Sequence, residues 1–305
     1  MNPFVGIGEV LWDVYQDGRK VAGGAPFNFA FHCHQLGHPS VIVSRVGNDD
    51  LGRELRDRVR ELGLSDEYIQ TDEEHPTGTV QVTLEANAVP TYTITENVAW
   101  DHIAWDEPTH DLARRCRCVC YGSLGQRAEG GWNTVQAFLH AHLHEGEFAP
   151  WRVFDINLRQ TQFATGSLRP SLARAEWVKL NTDEAPRLAA ILGLPTEDLY
   201  AFVQSLVCLT TPEQRCAMWT HGGDGCDVFA FGETFHEPGV AANAVDTVGA
   251  GDAFTAAMVC LHLEGRPLRE CARFANHYAA RVCEQLGGTP RIDRAEVARA
   301  AGLKS

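Results

Sequence analysis

The sequence predicts an α/β fold, with three α/β/α layers built around a mostly parallel sheet and a small β-sheet lid. Short apolar segments typical of strands alternate with helical segments along nearly the whole chain, which indicates a parallel sheet covered by helices on both faces. Two further stretches alternate apolar and polar residues, as strands do when only one face is covered. With 305 residues and 44% hydrophobic side chains, the chain is expected to form a single domain over residues 1–305.

Six apolar stretches have the length and composition of strands of the main sheet, namely residues 5–11, 41–46, 117–121, 152–156, 177–180 and 216–220. Helical periodicity marks residues 51–62 and 253–263, each followed by a glycine that ends the helix. Cys116, Cys118 and Cys120 alternate along one of the strands. We therefore expect these cysteines to share one face as small packing residues.

The strictly alternating stretches, residues 79–84 and 91–95, predict a hairpin that belongs to the lid. Together with the turn-containing segment after the first strand, they place the lid at about residues 12–22 and 77–98. Val80, Val82 and Leu84 share one face of the hairpin. We expect this face to point away from the ligand and to pack on the body of the protein or on a second lid, the latter giving a homodimer through the lid.

The composition disfavours several classes of partner. A formal net charge of -14 argues against nucleic acids and anionic membranes. No apolar run reaches the roughly eighteen residues of a membrane helix, and no basic segment precedes an apolar one at the start, so a cytoplasmic location is expected. Lysine occurs only at Lys20, Lys179 and Lys304. This acidic, lysine-poor surface fits adaptation to high salt or a GC-rich genome, and both interpretations stay open.

Two familiar phosphate-binding motifs do not fit the chain. No GxxxxGK[ST] loop is present, which disfavours a P-loop kinase. Gly6-Ile7-Gly8 opens a dinucleotide-binding fingerprint, but Leu11 stands where its third glycine belongs. A dehydrogenase is therefore disfavoured as well.

A third phosphate-binding candidate lies late in the chain. Gly249, Ala250 and Gly251 lead directly into an apolar helix, so that their backbone amides would converge at a positive helix end. Asp252 follows them, and beside a bound phosphate it could take the proton of an attacking hydroxyl. The alternative is an ordinary aspartate at the start of a helix.

The segment around this candidate, DTVGAGDAFTAA at residues 246–257, closely resembles the C-terminal signature of the PfkB, or ribokinase-like, family of carbohydrate kinases. GGAPFNFA at residues 23–30 resembles the N-terminal signature. Four more elements match the family in the expected order: GNDDLG at 47–52, DINLR at 155–159, NTDE at 181–184 and THGGDG at 220–225. The resemblance covers almost the whole chain and implies an ATP-dependent kinase for a small sugar.

The resemblance also implies roles for single residues. Asp252 is similar to the catalytic base, and the amides of Gly249, Ala250 and Gly251 to the anion hole for the transferred phosphoryl group. A second set would serve ATP and its metal. In that set Asn181 and Glu184 would organise Mg²⁺ largely through water, Asp246 could help to hold K⁺, and the residues implied as walls of the nucleotide site are Thr220, Gly222, Gly225 and Asn276.

On the sugar side the resemblance implies five residues. Asp13 is similar to an aspartate of the first strand that accepts hydrogen bonds from substrate hydroxyls. Gly23 and Gly24 would let the sugar approach the backbone, and Asn28 would point at it from the next helix. Arg159 could add a positive charge.

The choice of sugar rests on smaller likenesses. Residues 155–159 and Ala99-Trp100-Asp101 resemble fructokinase-like members, so D-fructose is our first expectation. No acidic residue lies in 122–125, where ribokinase-like members often place one, which disfavours ribose. A 2-keto-3-deoxygluconate kinase is an alternative that could use Tyr92 and Arg159. A catalytically silent sugar-binding protein of the same fold is another, although such a protein would need neither Asp252 nor Glu184.

Overall fold

The computed structural model describes residues 2–84, 90–141, 150–194, 196–207, 215–230 and 232–303. In chain order its strands are Phe4–Ile7 (β1), Leu11–Tyr15 (β2), Lys20–Gly23 (β3), Ser40–Gly47 (β4), Ile69–Asp72 (β5), Thr79–Leu84 (β6), Pro90–Ile94 (β7), Cys118–Gly122 (β8), Trp151–Asp155 (β9), Trp177–Asn181 (β10), Cys216–Thr220 (β11), Gly225–Ala230 (β12) and Glu233–Pro238 (β13). Its α-helices are Ala25–Gln35 (α1), Asp50–Glu61 (α2), Glu107–Arg115 (α3), Glu129–His140 (α4), Thr165–Arg174 (α5), Glu184–Ile191 (α6), Leu199–Leu206 (α7), Ala250–Leu263 (α8), Leu268–Cys283 (α9) and Arg294–Ala300 (α10). Within these ranges, no helix combines the length and the apolar character that crossing a membrane requires.

The main sheet has nine strands in the order β13-β12-β11-β10-β9-β8-β1-β4-β5. From β11 to β5 all neighbouring strands are parallel, whereas β12 and β13 join one edge in antiparallel fashion. This arrangement confirms the mostly parallel sheet. It also gathers the carboxyl ends of the parallel strands at one edge, where ligands bind in folds of this kind.

Helices cover both faces of the main sheet. Apolar side chains of α1, α8, α9 and α10 pack on one face, and α2 lies beside α1 on the same side. Helices α3 to α7 pack on the other face. Cys118 and Cys120 are buried on the α8 side, as the alternation predicted, but Cys116 precedes strand β8 and packs on the opposite side. The three-layer prediction is confirmed.

The stretch 5–11, predicted as one strand, forms parts of two strands in different sheets. Strand β1 ends at Ile7 and β2 begins at Leu11 in the lid. Gly8 between them has φ 143°, a conformation that side-chain-bearing residues rarely adopt. The single-strand prediction was wrong because apolar residues lie on both sides of this break, and only Gly8 and the buried Glu9 mark it.

The lid is a four-stranded sheet in the order β3-β2-β6-β7. Asp13 on β2 is in register with Val80 on β6, and Val80 with Ile94 on β7. Val80 and Val82 are buried within this single chain, so both side chains have the cover that was predicted without a second lid. The side chain of Leu84 lies outside the described part. A homodimer through the lid stays a prediction.

Candidate active site

A cavity of about 560 Å³ lies between the lid and the carboxyl ends of the main strands. Nine of the residues named from the sequence line it: Asp13, Gly24, Asn28, Arg159, Asn181, Glu184, Gly249, Gly251 and Asp252. Val80 and Ile94 of the lid line it as well. The expectation that the apolar lid face points away from the ligand site was therefore wrong, because that face forms the roof of the cavity.

The turn before α8 has the geometry of an anion-binding helix start. Gly249 is the N-cap with φ 77°, and a Cβ there would lie 2.4 Å from the Cα of Gly288. Only glycine satisfies both constraints. The amide of Ala250 donates to the carbonyl of Thr247 at 3.3 Å, so it contributes less to an anion site than predicted. The remaining amides of the first turn have no acceptor within the helix.

Asp252 is the third residue of α8 and is 9% exposed. Burial raises the pKa of its carboxyl to about 6, and the nearby charge of Asp155 adds to this increase. Lys179 and a hydrogen bond from Asn28 lower the pKa of the same carboxyl. The group is therefore ionised at neutral pH and lies close to the pKa that suits a general base.

Asn28 holds this carboxylate in place. Its Nδ2 donates to Oδ2 of Asp252 over 2.8 Å, and the asparagine is 3% exposed. The sequence predicted only a contact with the ligand. Oδ1 of Asn28 is buried without a hydrogen-bond partner in the described part of the chain. Because buried polar atoms are rarely left unpaired, this oxygen is suited to accept a hydrogen bond from a ligand hydroxyl.

Asp13 lies on the lid strand β2, where burial raises the pKa of its carboxyl to about 6. A Cβ at Gly23 would approach Oδ2 of Asp13 to 3.0 Å, so Gly23 makes room for the carboxylate rather than lining the cavity. Gly24 does line it, with φ 121° and its Cβ position 2.3 Å from the carbonyl oxygen of Glu9. A side chain at Gly24 would therefore collide with the backbone of Glu9.

Arg159 is exposed and lines the cavity from the loop after β9. The loop is conformationally unusual, since Asn157 and Gln160 have φ 43° and 46°. Left-handed conformations of residues other than glycine cost free energy and concentrate at functional sites. The guanidinium of Arg159 lowers the pKa of the Asp13 carboxyl, so its charge acts across the cavity.

Asn181 and Glu184 form a reciprocal cap at the start of α6. Oδ1 of Asn181 accepts from the amides of Asp183 and Glu184 at 3.0 and 2.9 Å, while Oε2 of Glu184 accepts from the amide of Asn181 at 2.8 Å. Oε1 of Glu184 accepts from the amide of Leu158 at 2.9 Å. A carboxylate has lone pairs left after two such bonds, so Glu184 can still accept from metal-bound water.

No cluster of three or more His, Cys, Asp or Glu side chains suited to a metal ion occurs among the described residues. The carboxylate of Asp246 links two loops, because its oxygens accept hydrogen bonds from the amides of Val248 at 3.0 Å and Gly287 at 2.9 Å. A K⁺ site at Asp246 stays a prediction.

The structure does not bring the predicted nucleotide walls to the lining of this cavity. Gly225 begins β12, where a Cβ would lie 2.2 Å from the carbonyl of Glu237. Nδ2 of Asn276 donates to the carbonyl oxygen of Pro238 at 2.9 Å. Gly225 and Asn276 therefore have structural contacts. A nucleotide-binding role stays a prediction for Thr220, Gly222, Gly225 and Asn276.

Sequence reasoning missed three charged residues that line the cavity, Glu9, Lys179 and Arg187, of which Glu9 and Lys179 are buried. Glu9 caps α1 from outside, because its Oε1 accepts from the amide of Ala25 at 3.1 Å. Lys179 lies in the middle of the buried strand β10. A lone charge inside an apolar stretch was the available signal for both, since such residues are seldom buried unless they are paired or functional.

The chain was compared with known proteins. A fructokinase of Klebsiella pneumoniae is 29% identical, over 93% of this chain and 92% of its own length, and Fructokinase-2 of Oryza sativa is 27% identical over 98% and 93%. The structure of the uncharacterized sugar kinase PH1459 from Pyrococcus horikoshii in complex with ATP superposes with a TM-score of 0.79 at 26% identity, covering 97% of each chain. The family model described as "pfkB family carbohydrate kinase" matches residues 13–294. The chain therefore belongs to the pfkB family of carbohydrate kinases and has the ribokinase-like fold.

Proposed function

We propose that this kinase uses ATP to phosphorylate a hydroxyl group of a small sugar, with D-fructose as the first candidate. One observation carries the proposal: Asp252 and the glycine turn before it meet Asp13 and Asn28 at the wall of one cavity. An anion site, a buried base and acceptors for hydroxyl groups are what transfer of a phosphoryl group to a sugar requires.

Asp252 would act as the general base. Its carboxylate is ionised above about pH 6, and the hydrogen bond from Asn28 fixes its orientation. A sugar hydroxyl that binds beside it would lose its proton to the other carboxylate oxygen as it attacks the γ-phosphorus of ATP, and ADP would leave with the bridging oxygen. Asp13 and the unpartnered Oδ1 of Asn28 would accept hydrogen bonds from other hydroxyls and so orient the attacking one.

The start of α8 would bind the transferred phosphoryl group. Backbone amides around Gly249 and Gly251 lie at the positive end of a 14-residue helix, which favours the charge that develops on the phosphoryl oxygens. Mg²⁺ bound with ATP supplies charge neutralisation on the phosphates. Asn181 and Glu184 line the same cavity and would orient the water around that ion.

Fructose is proposed on the names of the relatives and on the motif at residues 155–159. The cavity contains one feature that favours a second candidate, a sugar acid such as 2-keto-3-deoxygluconate. Arg159 is exposed at the wall and could pair with a carboxylate. The side chain of Tyr92, which this alternative could also use, lies outside the described part of the chain.

A substrate panel tests the proposal directly. We would incubate the protein with ATP, Mg²⁺ and fructose, glucose, ribose, tagatose, 2-keto-3-deoxygluconate or adenosine, and detect the phosphorylated product by mass. Fructose phosphate as the main product is expected. Preference for the sugar acid, abolished in Arg159→Gln, would select the second candidate. Sugar binding without any product would instead indicate the silent binding protein.

A further inference from the structure

Beneath the proposed base lies a buried ion pair that the reaction scheme above does not use. Nζ of Lys179 is 3.2 Å from Oδ1 of Asp155, and their side chains are 7% and 5% exposed. The two residues are register partners on the parallel strands β9 and β10. Oγ1 of Thr255 shares its single proton between the other oxygen of Asp155, at 3.2 Å, and the carbonyl oxygen of Gly251, at 2.9 Å. Burying two charges costs free energy, so a buried ion pair at this position is unexpected unless it has a role.

The pair is attached to the helix that carries Asp252. Thr255 lies three residues after Asp252 on α8, so the two side chains are neighbours on the helix surface. Lys179 also approaches the first turn of this helix, since a Cβ at Gly251 would lie 2.7 Å from its Nζ. The ammonium group therefore lies directly beside the backbone at which the phosphoryl group is proposed to bind.

The choice of lysine here stands out against the composition. Only three of the 26 lysine and arginine residues are lysines, and Lys179 lines the cavity. Arginine carries a larger planar group. A compact ammonium has three donors, and one of them reaches Asp155.

We propose that the buried Lys179–Asp155 pair sets the ionisation of Asp252, which makes Lys179 a positioning residue for the base. This inference rests on the proposed role of Asp252. Three further polar or charged side chains act on Asp252: Asn28 from α1, Glu9 after β1 and Arg159 after β9. Glu184 from α6 acts on Lys179 of the pair.

The two members of the pair act on Asp252 in opposite directions. The charge of Asp155 raises the pKa of the Asp252 carboxyl, and the charge of Lys179 lowers it. Burial raises the pKa of Asp252 in any case, so the base depends on the cation to remain ionised near neutral pH. Asp155 holds the ammonium of Lys179 at 3.2 Å, and a close opposite charge favours the charged form of the lysine.

The test is the pH profile of kcat/KM for the sugar, measured for three variants. Lys179→Met should move the acidic limb upward by about one to two pH units, the usual effect of losing a close opposite charge. Asp155→Asn should move the same limb downward, because it removes a like charge while Glu184 and Asp252 remain as opposite charges near Lys179. Arg152→Met is the matched control, since it breaks a part-buried ion pair with Glu176 at the other end of β9 and should lower stability without moving the limb.

Opposite shifts in the two site variants, with an unmoved control, support the inference. An unmoved limb in Lys179→Met, or a shift of the same sign in both variants, overturns it. So does a pH-independent fall of kcat/KM in Lys179→Met, which would place the ammonium on the phosphoryl group rather than on the base. If Asp252→Asn retains activity, the proposed base itself fails, and that result is distinct from all of these. Thermal melting of each variant verifies that it is folded.

Discussion

Replacing Asp252 by asparagine separates the catalytic role of this side chain from its effect on stability. Asparagine keeps the size of the side chain, and its Oδ1 can still accept from Nδ2 of Asn28, so the cavity should keep its shape. It cannot accept the proton of a hydroxyl. We therefore expect kcat to fall by roughly two to four orders of magnitude, with little change in the KM values for ATP and sugar.

The same substitution should stabilise the fold at neutral pH. The pKa of Asp252 is raised from 3.8 to about 6, so the folded state binds the proton more tightly than the unfolded chain. Ionisation therefore destabilises the folded state by about 3 kcal/mol above pH 6, and this cost disappears as the pH falls to about 4. The neutral amide of the Asp252→Asn variant avoids this cost.

Two measurements check this prediction. Steady-state kinetics should show the loss in kcat, and urea unfolding of both proteins should show a gain in stability for the variant at pH 7.5 that vanishes near pH 4. A kcat above about a tenth of the wild-type value would refute the base, since a general base contributes far more. Equal stability gains at both pH values would refute the buried-carboxylate explanation, because a packing effect does not depend on protonation.

Three further outcomes are expected. Gly251→Val should reduce kcat at least about 100-fold with Asp252 intact, because its side chain would collide with Nζ of Lys179 and crowd the anion site; near-normal turnover would contradict this site. Asp13→Asn should raise the KM for the sugar about 10- to 100-fold while kcat changes little, as measured by initial rates, and an unchanged KM would remove Asp13 from the sugar site. If the lysine deficit reflects adaptation to high salt, activity and melting temperature should hold or rise up to molar KCl, whereas a steady fall would favour genome composition.

Six strands of the main sheet and the catalytic turn could be predicted because their signals are local. Strand β11 was predicted with the bounds it has, and the helix predicted over residues 253–263 forms most of α8, which begins earlier, at Ala250. Each depends on neighbours in the sequence: an apolar run in one case, and glycines before an apolar helix in the other. Long-range packing had no part in either prediction.

The lid was predicted in outline and misplaced in orientation for a physical reason. Alternation of apolar and polar residues shows that one face of β6 is covered, but it does not show by what. Val80 turned out to face the cavity beside Asp13, so the covered face is the one over the ligand. The start of the lid was likewise hidden, because the chain passes from one sheet to the other at Gly8 and apolar residues resume directly after Glu9.

The hydrogen bonds around the site show why residue roles were harder to predict than residue positions. Asn181 and Glu184 were predicted as organisers of a metal, and they also build the turn that begins α6 by capping each other. Asn28 was predicted to contact the sugar, and it also fixes the carboxylate of Asp252. When one residue both shapes the fold and lines the cavity, the sequence shows only the residue and not its two roles. Separating the two roles therefore needs the distances, and after them the pH profiles and KM values of the variants.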